Sequence, residues 1–290
     1  MDADLDLLLT AVFCTADDLL PERVDHNARR QLTDAEIVTL AVAQVLLDKP
    51  SDRRFLRVAR RRLVGLFPTI PTQSAYFKRR AKLGEAIDWL CGVFAAQSPG
   101  SRDEIVLVDS TPLECGRSVE TTRRSRLSEV CGYGYSRSHS RWFWGMRLHL
   151  AAAPDGTPRR AVIVAADRPE REVAQTLLLP GLVQPGIVVL TDKGYAGREF
   201  AAAIAADGGC VLRPARRDEP DHGVPLSSLR QRIESIFWTL KDVLSLERHG
   251  ARTPEGLRVR IGVRLLALAA AISLNHQLHR PSRSLVDYTA

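Results

Sequence analysis

The sequence predicts an α/β fold, a mixed five-stranded sheet flanked by helices and preceded by an all-α region. Three observations predict it. The first hundred residues carry apolar side chains at helical spacing, as in Leu5, Leu8, Leu9 and Val12. Past residue 98, short apolar runs take over, among them Ile-Val-Leu-Val at 105–108 and Ile-Val-Val-Leu at 187–190. Helical stretches at about 170–180 and 197–207 then alternate with the later runs, which is the pattern of an α/β sheet.

The elements follow in order. After the first helix, Thr33 and Glu36 form a capping box, in which the hydroxyl accepts a backbone N–H and the carboxylate reaches back. It opens the apolar run Ile37, Leu40, Ala41 and Val45, and Pro50-Ser51 ends that helix. A basic helix follows to about Phe67, then a turn at Pro68 and Pro71, then a third helix capped by Thr72 and running through Lys82. Two basic helices joined by a turn fit a helix-turn-helix and a plain bundle alike. Ser98-Pro99-Gly100-Ser101 reads as a linker. Strand one is 105–108. Residues 142–150 alternate and form strand two, Pro154-Asp155-Gly156 turns the chain, and 160–165 returns as strand three. Residues 187–190 and 210–213 supply strands four and five. A helix begins near Leu226, and a long one follows Thr253-Pro254, a cap with proline at the first helical position.

Composition narrows the function. The 290 residues are 45% hydrophobic and 26% charged, which excludes a disordered tail, a collagen-like fibre and a coiled-coil rod. Five widely spaced cysteines, with no Cys-x-x-Cys pair, fit a reducing compartment better than a disulfide scaffold. The acidic start, with Asp2 and Asp4, is unlike a signal peptide. The apolar stretch 265–278 is too short for a membrane span and holds Asn275 and His276. Net charge is +7 and unevenly placed. Residues 1–47 hold nine acidic and three basic side chains, whereas 49–82 hold eleven basic and one acidic. Arg57, Arg61, Lys78 and Arg79 are the candidates here for contact with DNA phosphates, and a solvated arginine face fits the same run. A second basic stretch, 117–147, reads as a loop that touches DNA through Arg123 and Arg124, and a solvated insertion fits it as well. Cys115, Cys131, His139 and His149 fit no common zinc spacing. His149, Trp142, Trp144 and Trp238 read as core.

Two strands end alike. Asp109 follows Ile-Val-Leu-Val, and Asp192 follows Ile-Val-Val-Leu-Thr. Ligands of open α/β sheets gather at the carboxyl ends of strands. Two carboxylates there suit Mg²⁺, which takes few protein oxygens and keeps waters and substrate phosphate. The alternative for each Asp is a turn or cap. The third component is a helix carrying Arg230, Glu234 and Lys241. At 100° per residue, Glu234 lies ~40° and Lys241 ~20° from Arg230, one stripe about 16 Å long. A carboxylate between two cations suits a metal ligand flanked by phosphate clamps, and suits an ordinary ion pair as well.

Together, Val-Asp109-Ser, Thr-Asp192-Lys-Gly-Tyr and Arg230-x3-Glu234-x6-Lys241 resemble the catalytic set of bacterial insertion-sequence transposases of the DDE class. The resemblance covers about residues 103–245, and Gly145-Met-Arg147-Leu-His149 is similar to the strand between the first two acids in many of them. The family's signature begins with Tyr three residues before the Arg, where this chain has Ser227. The resemblance implies an RNase H-like core, and the strand order read above agrees. It implies a helical DNA-binding region at 1–98 and a catalytic domain at 99–290 with the C-terminal helices. Asp109, Asp192 and Glu234 would be the catalytic residues and the ligands of two Mg²⁺ ions, with Mn²⁺ able to substitute. Arg230 and Lys241 would position DNA phosphates. The implied reaction is hydrolysis at transposon ends followed by strand transfer into target DNA. The implied partners are double-stranded DNA, as terminal inverted repeats and target, and a second copy of the chain on that DNA. The implied location is the bacterial cytoplasm, at the nucleoid. Two other readings share these residues: an RNase H-like nuclease that cuts without joining, and a catalytically silent DNA-binding protein.

Overall fold

The computed structural model describes residues 3–21, 32–136, 140–215 and 226–289. The chain forms two compact units, one of residues 1–97 with 239–290 and the other of 98–238.

The first unit is helical. Helix α1 (Ala3–Leu19) buries Leu5, Leu8, Leu9, Val12 and Ala16, the stripe its spacing predicts. Helix α2 (Asp34–Leu46) starts at the capping box: Thr33 Oγ1 accepts the Glu36 N–H at 3.1 Å, and Glu36 Oε2 accepts the Thr33 N–H at 2.5 Å. Helix α3 (Asp52–Arg62) is capped by Ser51, and α4 (Gln73–Ala81) by Thr72. The basic helix therefore ends at Arg62, short of the expected Phe67. The link from α3 to α4 spans residues 63–72, longer than the three or four residues of a helix-turn-helix turn. Helix α5 (Gly84–Ala96) completes the N-terminal series.

A buried polar network ties these helices together. Arg80 donates to both carboxylate oxygens of Asp52, at 3.1 and 2.9 Å, and to Gln44 Oε1 at 2.6 Å. Tyr76 donates its hydroxyl to the same Gln44 oxygen at 2.8 Å, beneath the Arg80 guanidinium. The sequence placed Arg80 in a basic DNA-facing run, but its charge is neutralised inside the unit.

The second unit is built on a mixed sheet. Strands are β1 (Ile105–Gly116), β2 (Gly132–Ser136), β3 (Arg141–Ala152), β4 (Pro158–Ala165), β5 (Val188–Leu190) and β6 (Cys210–Leu212). The order is β2-β3-β1-β5-β6, and β4 also pairs β3. Along one edge of β3, β2 covers residues 141–145 and β4 covers 146–152. Without β2, this is the five-stranded sheet the sequence predicts. Strand β2 and the short helix α6 (Val119–Arg124) replace the loop expected across 117–147. Strand β1 has twelve residues, against the four expected, because its polar second half pairs with β3 as far as Trp144. Glycine is required at 145: a Cβ there would collide with the Leu113 carbonyl oxygen, beside the β-bulge between Glu114 and Gly116.

Val106, Val108, Ala151 and Val189 line one face of the sheet. Against them pack Ala174 and Leu178 of the π-helical turn Ala174–Leu178 that follows α7 (Glu170–Val173), with Tyr195, and Phe200 and Ile204 of α8 (Arg198–Ala206). Helix α9 (Ser227–Trp238) packs on β1.

The C-terminal helix α10 (Pro254–Gln277) is buried on nearly all sides from Leu257 to Asn275. It packs chiefly on α5 and also on α2 and α1. The sequence grouped 99–290 as one domain, whereas contacts group 239–290 with the N-terminal helices. A helix that is apolar all round needs a surrounding bundle, which a sheet face does not provide. No described helix is long and apolar enough to cross a membrane.

Candidate active site

Strands β1 and β5 are parallel neighbours, with Ile105, Val106 and Leu107 registered to Val188, Val189 and Leu190. Asp109 and Asp192 each stand two residues beyond the last pair. Side chains alternate along a strand. Asp109, within β1, therefore shares the face of Leu107, opposite the Val106–Val108 core, while Asp192 lies in the turn that follows β5. The Ser110 N–H donates to Asp109 Oδ1 at 2.7 Å, and the Gly194 N–H to Asp192 Oδ1 at 2.8 Å. The cap role that Asp often fills is thus also real for Asp192.

The electrostatics single out Asp109. Burial, chiefly, and the charges of Asp192 and Glu170 raise its carboxyl to about 7 against the opposing Ser110 N–H. Arg230 on α9 acts in the opposite direction. Tyr195 is fully buried, its hydroxyl has no partner among the described residues, and burial with the charges of Glu170, Asp109 and Asp192 drives its pKa well above the usual tyrosine value. The hydroxyls of Thr111 and Thr191 and both ring nitrogens of His149 are also buried without partners among the described residues. Burial and then the Arg147 charge lower the His149 pKa to about 4, so the ring is neutral. The core assignment of His149 stands on that burial.

The third acid is placed differently. Glu234 is 64% exposed and meets Arg230 at 3.8 Å. Lys241 meets Glu247 at 3.4 Å. The α-helical stretch ends at Trp238 and a π-helical turn covers Thr239–Val243, so the 100° step that aligned Lys241 does not extend that far. Among the described residues, no three His, Cys, Asp or Glu side chains are gathered closely enough to hold an ion. The donor chemistry still fits Mg²⁺: the groups just past the β1–β5 pairing are carboxylates, and their mutual repulsion is what a cation relieves.

The remaining candidates divide by exposure. Arg57, Arg61, Lys78, Arg123 and Arg124 are exposed. Arg124 pairs with Glu120 at 2.7 Å. Arg79 already has internal partners, Asp34 at 2.7 Å and the Leu32 carbonyl at 2.6 Å. Trp144 is buried, but Trp142 and Trp238 are 68% and 59% exposed, against the core reading. Trp142 lies at the start of β3, edge-on to Tyr135 of β2. His139 lies outside the described residues.

Sequence reasoning missed Glu170. It opens α7 after Pro169, five residues past the end of β4, and accepts from Ser110 Oγ at 2.7 Å and from Arg147 at 3.0 Å. No apolar run leads directly into it. The only available signal was an acid at a helix start beyond a strand.

The mixed α/β sheet carries two carboxylates just past the paired stretch of its neighbouring parallel strands β1 and β5. A family model, the transposase DDE domain, matches residues 100–270. That is more than half of the chain, and the chain belongs to this family. Comparison with the curated proteins and with the solved structures gave no match.

Proposed function

We propose that this chain is a DNA transposase that hydrolyses the phosphodiester at transposon ends and joins the freed 3′ end to target DNA. The observation that carries the reading is the pair Asp109 and Asp192, each two residues past the registered Leu107 and Leu190, with the Asp192 charge among the causes that raise the Asp109 carboxyl to about 7. Mg²⁺ held by Asp109 and Asp192, with Glu234 as the third ligand, would lower the pKa of the attacking water and stabilise the leaving 3′ oxygen. Arg230, whose field already reaches Asp109, holds the phosphate next to the scissile bond. Lys241 takes a neighbouring phosphate. Arg57, Arg61 and Lys78 on the helical unit, with Arg123 and Arg124 of α6, hold the duplex through its backbone. The active species is a homodimer on DNA, because two transposon ends must be joined.

The test is cleavage and joining of a short duplex carrying the terminal inverted repeat, with Mg²⁺ or Mn²⁺. Wild type cuts and joins, while Asp109→Asn, Asp192→Asn and Glu234→Gln bind and do neither. Cutting without joining supports the nuclease reading instead. Full cutting by Glu234→Gln removes that residue from the site.

A further inference from the structure

Beside Asp109 lies a set of contacts that the proposed chemistry does not use. Arg147, on β3, donates through Nη1 to Glu170 Oε1 at 3.0 Å and to Ser110 Oγ at 3.3 Å. Through Nη2 it donates to the Tyr135 carbonyl at 2.7 Å. Ser110 Oγ donates to the same Glu170 oxygen at 2.7 Å, and the Ser110 N–H donates to Asp109 Oδ1 at 2.7 Å. Ser110 thus grips Glu170 with its side chain and Asp109 with its backbone.

The arrangement is electrostatically costly. Glu170 adds a negative charge that disfavours ionised Asp109 and surrounds the buried Tyr195 hydroxyl with acids. A partner for Arg147 alone did not have to sit here. Two features fix Glu170 in place. Its backbone opens α7, which runs straight into the π-helical turn whose Ala174 and Leu178 lie in the sheet's core, and its carboxylate is neutralised by a guanidinium that is itself largely buried. Arg147 also meets β2 at Tyr135, so one side chain locks the edge strand, the helix start and the residue after Asp109.

We propose that Glu170 and Arg147 are positioning residues of the active site, which hold Ser110 so that Asp109 presents its carboxylate in one orientation. The proposal rests on the metal-dependent reading above. Neither residue touches substrate or metal in this role. Outer-shell partners of ligating groups typically change metal affinity or activity by about 10–100-fold when removed.

The test uses the full chain and two readouts, Mn²⁺ affinity by calorimetry and the cleavage rate on the terminal-repeat duplex. Glu170→Ala is expected to weaken Mn²⁺ binding and slow cleavage, each by about 10–100-fold, with DNA KM unchanged. Ser110→Ala should match it, and the double variant should be no worse than either single one, because the two act through one contact. Glu170→Gln keeps an oxygen acceptor for Ser110 and should recover most of both losses. Additive losses overturn the proposal, as does wild-type behaviour of Glu170→Ala. A defect in Glu170→Ala that Ser110→Ala lacks also overturns it, since Glu170 would then act on metal or substrate directly. If Glu170→Ala does not fold, Glu170→Gln and Ser110→Ala decide by the same criteria. A wild type that neither binds Mn²⁺ nor cuts defeats the metal reading and this role with it, whereas an active wild type with silent variants defeats this role alone.

Discussion

Asp109 and Asp192 lie side by side because each stands two residues past a registered pair, Leu107 with Leu190, on neighbouring parallel strands. Burial and the Asp192 and Glu170 charges raise the Asp109 pKa from 3.8 to about 7. The folded state thus binds a proton there that the unfolded chain releases. This contribution to stability is complete below pH ~4 and is lost as pH rises through about 7. Without divalent cation, the wild-type melting temperature should fall across that window. Asp109→Asn removes the titration and should melt higher than wild type at pH 8, by a few °C for each ~1 kcal/mol. Millimolar Mg²⁺ should raise the wild-type midpoint at pH 8 and leave the variant's unchanged. Scanning fluorimetry at pH 5 and 8, with and without Mg²⁺, checks each part.

The helical unit has the opposite pH dependence. Burial alone would raise the Asp52 carboxyl, but Arg80 and Arg260 outweigh it and hold the pKa below 3.8. The stability this group adds is present above that value and is lost as pH falls below it. Asp52→Ala leaves two largely buried guanidiniums, Arg80 and Arg260, without their carboxylate. Breaking a buried pair by removing one partner costs about 3–5 kcal/mol. Urea unfolding of the variant at pH 7 should show a loss of that order, and the gap to wild type should narrow as pH drops towards 3.

Much of this was legible in the sequence, for physical reasons that differ by element. Thr33, Thr72 and Thr253 announce helix starts because capping is local. Asp109 and Asp192 were visible because each follows a short apolar run that marks a buried strand, although β1 runs on past Asp109 to Gly116. Strand β2 was not, since Gly-Tyr-Gly-Tyr-Ser offers little burial pattern and its pairing with Trp142 and Trp144 is a tertiary fact. Lys241 was misaligned because a π turn changes the angular step. Glu170 was missed because its partners, Ser110 and Arg147, are 60 and 23 residues away. The grouping of α10 with α5 depends on contacts across most of the chain, which composition does not record.

The capping box at Thr33 allows a clean local test. Its hydroxyl satisfies the Glu36 N–H, which is otherwise one of the unpaired donors of a helix start. Loss of such a cap costs about 1 kcal/mol. Thr33→Ala should lower the stability of the helical unit by that amount, and Thr33→Ser should restore most of it, as read by chemical denaturation. DNA cleavage at a temperature where both variants are folded should match wild type.

The basic helices permit a sharper separation of roles. Arg57 and Arg61 are one helical turn apart on α3 and exposed, whereas Arg79 on α4 is held by Asp34 and the Leu32 carbonyl. A side chain that neutralises a phosphate releases condensed counterions, so removing it reduces the slope of log K against log[salt] by about one. Arg57→Ala/Arg61→Ala should therefore weaken duplex binding at low salt and flatten the slope by about two, with no change in melting temperature. Arg79→Ala should lower the melting temperature and leave the slope as it was. Fluorescence anisotropy of a labelled duplex over about 50–200 mM NaCl gives both slopes. A slope unaltered by the double substitution removes this face of α3 from the DNA interface, and one flattened by Arg79→Ala shows that its pairing with Asp34 opens on DNA.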